Sequence, residues 1–396
     1  MRLFCRTGTL HHARRVFASV AVAATVLSTA ACTIDNNGGH GDDQPAAEKS
    51  SVEFQSNVKD GDTDVAVADL ITVSSSEKLG DVSLTNDAGK QVKGTLSEDG
   101  KKWTAKEKLG YGRSYELKAK SEDKSYDASF TTQSPASQTS AALSPLYGST
   151  VGIGQSISFH FDTPITDRKA VQKLIDIETT PKVEGAFYWI SSTSLRWRPE
   201  EYWKPGTKVH VKANFYGEDL GDGVYGQEDR EASFTIGDAM RAVVDDAAKT
   251  MTIYKNGKVV QTMPVSNGRD GGRWATPNGI YQVGDQYEKL LMDSETFGYS
   301  HEDGGYRTDV KYATQLSYSG VYIHAAPWSV WAQGKQNTSH GCVNVSDANA
   351  KWVYDNMKRG DIVEVKNSTG STFDGHDGLG DWNIPWSTWS KGNADK

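Results

Sequence analysis

From about Ser51 to Thr132, apolar and polar residues alternate in short runs such as Ser114-Tyr115-Glu116-Leu117-Lys118-Ala119, separated by Asp-Gly, Gly-Lys and Asn-Asp pairs. Period-two alternation between turn residues predicts strands with one buried face, and hence an antiparallel sandwich. A stretch rich in Ser, Gln and Pro, from about Gln133 to Ser144, leads into a second region of the same kind that ends near Ile236. The two regions repeat each other. Gly112-Arg-Ser-Tyr-Glu-Leu-Lys-Ala119 answers to Gly206-Thr-Lys-Val-His-Val-Lys-Ala213, and Ala128-Ser-Phe-Thr131 to Ala232-Ser-Phe-Thr235. A period of about 100 residues with this alternation predicts two tandem immunoglobulin-like sandwiches, over residues 51–134 and 135–237.

A third unit, residues 238–365, opens on Met251-Thr-Ile-Tyr254, the turn Lys255-Asn-Gly-Lys258 and Val259-Val-Gln-Thr-Met263. Asn-Gly between two apolar runs is a strong hairpin signal. Further strands are expected through Val321-Tyr-Ile-His324. Ser346 or Asp347 then caps a helix to about Lys358, Gly360 supplies a left-handed stop, and a last strand covers Ile362 to Val365. The tail 366–396 carries Trp382, Trp386 and Trp389 and is expected to pack back on the third unit, closing one side of its cleft. The fold class is therefore mainly β, with two sandwiches, a β-rich third domain holding one capped helix, and a Trp-rich tail.

The amino-terminal pattern is different. Arg2, Arg6, Arg14 and Arg15 precede an uncharged run from Val16 to Ala31, followed by Cys32. A basic segment, a short apolar run and small residues read as an export signal, residues 1–31. Small residues directly before Cys32 are similar to a lipoprotein processing site, although Thr29 stands where Leu is preferred, so a lipid anchor on Cys32 is expected, followed by a polar tether over 32–50. The full chain of 396 residues has a net charge of −8; residues 1–31 hold four positive charges and no negative ones, so the remainder carries −12. An exported acidic body without a basic run has no footprint for nucleic acid.

Three cysteines, Cys5, Cys32 and Cys342, cannot form a disulfide framework. Cys342 is the one that points to chemistry. It lies in Thr338-Ser339-His340-Gly341-Cys342-Val343-Asn344, among polar and small neighbours with an imidazole two residues away. His324 ends an apolar strand 18 positions upstream. Three readings fit this constellation: a thiol nucleophile whose proton passes to one His, giving a thiolate–imidazolium pair; a zinc site of His324, His340 and Cys342; or a structural cluster. Either His could serve as the base. His160 and His210, in strand-like runs without a second ligand, and Trp189, Trp197 and Trp203 read as structural.

The segment Ser339–Asn344, with His324 upstream, resembles the signature of the L,D-transpeptidase catalytic domain, the YkuD family. Thr276-Pro-Asn-Gly-Ile-Tyr281, Tyr306-Arg-Thr-Asp309, His324-Ala-Ala-Pro-Trp328 and Gly380-Asp-Trp-Asn-Ile-Pro-Trp386 are similar to its actinobacterial type, which has two immunoglobulin-like modules. The resemblance implies 3→3 cross-linking of peptidoglycan stem peptides, a tetrapeptide donor being acylated onto Cys342 with release of D-Ala and a diaminopimelate amine acting as acceptor. It implies His324 as base, held by the backbone carbonyl of Ala325. It places oxyanion donors around His340, Gly341 and Cys342, with Ser339 in the same loop. It further implies that Met292, Phe297, Tyr306 and Trp328 line two substrate channels, with Phe297 where a member of the family has Tyr, and that carbapenems inhibit covalently. Neither a metal nor another cofactor is implied. Asn344 is expected to bond substrate or hold the loop. The segment from Gly284 to Ser319, which includes Tyr299, Tyr312 and Tyr318, is expected to form a mobile aromatic lid, with Tyr318 among the substrate contacts.

Overall fold

The computed structural model describes residues 52–395. The export segment 1–31, Cys32 and the tether lie outside the described residues. In the first sandwich one sheet orders Phe54–Ser56, Thr72–Ser75, Lys102–Ala105 and Gly94–Leu96, and the other Gln91–Val92, Val82–Asn86, Ser114–Ser121 and Lys124–Thr131. The run Ser114–Ser121 buries every second residue, as its alternation requires, and Leu117 and Ala119 are fully buried. The second sandwich packs Ala141–Ser144, Ile157–Phe161, Ser194–Pro199 and Gly185–Trp189 against Thr150–Val151, Arg230–Ile236, Lys208–Ala213 and Ile175–Thr180. The internal repeat is structural: Tyr115 faces Phe130 in the first sandwich and Val209 faces Phe234 in the second. Trp189, Trp197 and Trp203 all lie in the second core.

The third domain has a five-stranded sheet, Lys258–Pro264, Thr250–Lys255, Met240–Asp245, Ile362–Lys366 and Gly279–Gln282, and a four-stranded one, Gln286–Asp293, Arg307–Gln315, Tyr322–Ala325 and Val343–Val345. The predicted hairpin is present, with Asn256 and Gly257 both at positive φ. Ser346 caps the helix Asp347–Asn356 through its hydroxyl, which accepts from the Asn349 N–H. The helix ends two residues earlier than its pattern suggests, and Gly360 adopts φ 84°.

Backbone bonds at two glycines and the tryptophan tail are among the contacts that join the second sandwich to the third domain. Gly152 and Gly154 donate their N–H groups to the carbonyls of Arg359 and Gly360, each at 2.8 Å. A Cβ on Gly152 would fall 2.1 Å from the Asp361 nitrogen, so only glycine permits this approach. The tryptophan tail makes another contact, and here the expectation is corrected. Its early part does pack on the third domain, where Phe373 stacks on Tyr281 at 3.9 Å. The indoles, however, do not close the cleft. Trp382 donates to the Gly154 carbonyl and meets Tyr202 edge-on; Trp389 donates to the Ala186 carbonyl and stacks on Tyr188. Their target is Arg198 of the second sandwich, 2% exposed, whose guanidinium lies over the rings of Trp382 and Trp389 at 4.4 Å each and Trp386 at 5.4 Å.

Candidate active site

Two parallel strands bring the sequence-predicted residues together. Tyr322–Ala325 pairs with Val343–Val345 so that His324 lies beside Asn344, and Cys342 immediately precedes the second strand. Side chains alternate along a strand, so Cys342 and Asn344 share a face. His324, His340, Cys342, Ser339 and Asn344 line a cavity of about 460 Å³ with Met292, Tyr306 and Trp328. Thr308, Ser329, Trp331 and Thr338 complete it. Trp331 stands 61% exposed at the cavity, its indole N–H donating to the Trp328 carbonyl. Nothing in the local pattern of Val330-Trp331-Ala332 distinguishes it from a packed aromatic.

His324 is 4% exposed, and its Nδ1 lies 2.9 Å from the Ala325 carbonyl oxygen. That bond requires the proton on Nδ1 and leaves Nε2 as the basic nitrogen. Burial lowers its pKa to about 4, offset only in part by the Ala325 bond. Burial likewise pushes the Cys342 thiol up to about 12, against a smaller opposing bond from the Tyr322 backbone. Cys342 Sγ is 3.5 Å from the Gly320 carbonyl oxygen, and among the described residues no hydrogen bond joins it to His324. Burial thus favours a neutral thiol beside a neutral imidazole before a substrate carbonyl enters. Alkylation by iodoacetamide at pH 7 should consequently run on the order of a thousandfold slower than for an exposed cysteine and rise about tenfold per pH unit up to pH 9. Intact-mass time courses measure this; a plateau below pH 8 would contradict it.

The loop carrying Cys342 is held from beneath. Ser339 Oγ donates to the Cys342 carbonyl at 2.6 Å and accepts from the Gly341 N–H at 3.1 Å. Gly341 sits at φ 126°, where a side chain is strained. Buried Thr276 donates to the Gly341 carbonyl at 2.8 Å and accepts from the Gly268 N–H at 2.9 Å. Asp246, 2% exposed, accepts from the side-chain amides of Asn267 and Asn337 and pairs with Lys249. Sequence reasoning found Thr276 only as part of a motif and missed Asp246, because their partners lie 65 and 91 positions away. Thr276→Val leaves two buried backbone groups unpartnered, each costing about 1–3 kcal/mol. We expect a lower melting temperature, read by thermal unfolding.

His340 points to the other wall. Its ring meets Trp274 edge-on at 4.7 Å and tilts over Tyr306 at 5.0 Å. Burial lowers its pKa, and Arg269 and Arg273 add to the effect. Among the described residues His324, His340 and Cys342 do not bring ligand atoms together as a metal site would; the three-residue group that does is Asp293, Glu295 and His301 on the neighbouring hairpin, where Asp293 already pairs with Arg307. A second cavity of about 130 Å³ lies beyond His340 and Tyr306, bounded by Arg273, Trp274, Phe297 and Tyr299. Phe297 packs there against Gly320.

The expected lid is a hairpin, Gln286–Asp293 with Arg307–Gln315, and its loop. Met292 and Tyr306 face the cavity, but Tyr312 packs on Tyr354 of the helix and Tyr299 on Trp274. Tyr318, expected among the substrate contacts, stands apart from the residues gathered at Cys342. It does not line either cavity at Cys342 or His340, but lies over Gly378 near Arg196, its backbone held by Asp377. Asn344 donates to Ser329 Oγ at 3.1 Å, while its buried Oδ1 has no partner among the described residues.

Comparison with known proteins places this site. Residues 239–365 match the L,D-transpeptidase catalytic domain and residues 62–219 a bacterial Ig domain. L,D-transpeptidase 2 of Mycobacterium tuberculosis is 49% identical over 356 residues, 88% of this chain and 87% of that protein. L,D-transpeptidase 5 of the same species is 34% identical over 340 residues, 82% of this chain and 74% of its own length. The solved structure of the L,D-transpeptidase LdtMt1 in complex with imipenem covers 59% of this chain and all of its own, with 37% identity and a TM-score of 0.50. A relative this similar over most of both chains, with a catalytic-domain match that spans both His324 and Cys342, establishes that the chain belongs to the L,D-transpeptidase family.

Proposed function

We propose that this transpeptidase forms 3→3 cross-links between peptidoglycan stem peptides through a thioester on Cys342. The observation that carries the proposal is the pairing of a buried thiol with a buried imidazole whose Nδ1 is fixed on Ala325, in one cavity. When the donor carbonyl enters, Nε2 of His324 takes the thiol proton as sulfur bonds to carbon. The C–N bond to D-Ala then breaks, the imidazolium protonates the leaving amine, and a thioester remains. The side-chain amine of diaminopimelate on a second stem attacks it, losing its proton to His324, and the thiolate leaves and is reprotonated.

The oxyanion needs donors fixed in advance. Gly341 spends its N–H on Ser339, which leaves the His340 and Cys342 N–H groups for that role. Met292, Tyr306 and Trp328 shield the thioester from water at roughly 55 M. Carbapenems are the corresponding covalent inhibitors, a reading supported by the imipenem complex of the related LdtMt1. The two sandwiches serve as a spacer, with Cys32 as the lipidated anchor of an exported protein.

The test is incubation with a disaccharide-tetrapeptide. D-Ala release together with a cross-linked dimer supports the reading. D-Ala release with only tripeptide accumulating identifies an L,D-carboxypeptidase instead.

A further inference from the structure

Arg269 and Arg273 have no place in the mechanism, yet both stand beside the Cys342 loop. The Arg269 backbone N–H donates to the Ser339 carbonyl, one residue from His340. Its guanidinium lies over Trp274 at 5.8 Å, and that of Arg273 over the same ring at 4.5 Å and over Tyr299 at 5.2 Å. The other edge of the Trp274 arrangement is the His340 ring. Both arginines are exposed, and among the described residues neither forms an ion pair. Arg273 bonds only the backbone carbonyl of Asp303, and the neighbouring Asp270 is engaged by Asn337. In a chain whose net charge is −8, two cations left without carboxylate partners and stacked on one indole form a prepared anion site.

We propose that Arg269 and Arg273 form a carboxylate-binding subsite that receives a free carboxylate of a stem peptide held at Cys342; this rests on the transpeptidase reading given above. Three features support a carboxylate. Guanidinium forks match its two oxygens, and stacking on Trp274 and Tyr299 fixes their planes beforehand. The cavity that Arg273 shares with His340, about 130 Å³, accommodates the end of a side chain or a peptide terminus. The donor and acceptor stems both carry carboxylates, at isoglutamate, diaminopimelate and the terminal D-Ala, any of which amidation would neutralise. The subsite would make the enzyme sensitive to stem amidation through binding, not through the chemical step.

Calorimetric titration of full-length Cys342→Ala protein with tetrapeptides, either fully free or amidated at one carboxylate at a time, tests this without turnover. One amidated peptide should bind about tenfold more weakly than the free acid, which also identifies the carboxylate. With Arg269→Gln and Arg273→Gln added, that difference should shrink to within about twofold, Arg273→Lys should restore part of it, and added salt should erode it. A preference that is absent with both arginines present, or that survives their removal, overturns the subsite. D-Ala release with formation of the cross-linked dimer by the unsubstituted enzyme separates the two proposals. Cross-linking without a binding preference leaves the transpeptidase reading standing and the subsite refuted; a preference without cross-linking does the reverse.

Discussion

Replacing His324 with Gln should slow single-turnover release of D-Ala by about a hundred- to ten-thousandfold, the usual contribution of a positioned base. The reason is the height of the proton-transfer step. With the thiol raised to about 12, almost none of it is ionised at neutral pH, so the nucleophile exists only if a base takes its proton as the bond forms. The fixed tautomer of His324 aims one basic nitrogen into the cavity, and glutamine offers an amide that cannot accept a proton. The pH profile gives a second readout. In the proposed mechanism His324 must be neutral, so the acid limb should lie near pH 4, well below the ordinary histidine value, and vanish in the variant. The same shift bears on stability. The unfolded chain takes up this proton near pH 6.5 and the folded chain only near 4, so the contribution of His324 to stability should be present above pH 6.5 and decline as pH falls through that window.

The largest stability effect is expected at Arg198. Its side chain donates to the carbonyls of Pro199 at 3.0 Å and Ile384 at 2.8 Å beneath three indoles, and burial lowers its pKa to about 10, with Asp381 opposing. Arg198→Ala would leave a cavity, two unbonded carbonyls and three tryptophans without their cation, a loss of about 3–5 kcal/mol. Arg198→Lys should fall between, because it keeps the charge without the fork. Denaturant midpoints measure the difference, and D-Ala release measured where both variants remain folded should be unchanged. A shift below about 1 kcal/mol would mean that the tail does not depend on this residue.

Much of this molecule could be read directly from the chain, and the limits have a common cause. The alternation in Ser114–Ser121, the Asn256-Gly257 turn and the Ser346 cap are local, so their physics is complete within a few residues. His324 and Cys342 were legible because each lies in a short run whose chemistry is unusual for a strand. Tyr318, by contrast, was assigned to the lid from composition, and composition cannot tell which face of a loop an aromatic takes. The tryptophan tail was read as closing the catalytic cleft because its partner Arg198 lies 186 positions earlier, in a sandwich strand with no sign of a buried charge. Asp246, Thr276 and the Trp274 wall share that property. Each acts through a contact that exists only once distant strands have come together. The proton arrangement at the site is likewise not legible in the chain, since burial sets it and burial is a property of the fold.

The central claim is that Cys342 carries the donor stem as a thioester, and intact-mass spectrometry tests it most directly. Enzyme mixed with a tetrapeptide donor whose diaminopimelate side-chain amine is acetylated, so that it cannot act as acceptor, should gain the mass of the donor less one D-Ala. The adduct should be absent from Cys342→Ala and should disappear on addition of acceptor as the cross-linked dimer forms. An adduct that persists in Cys342→Ala, or a dimer formed without Cys342, would contradict the account.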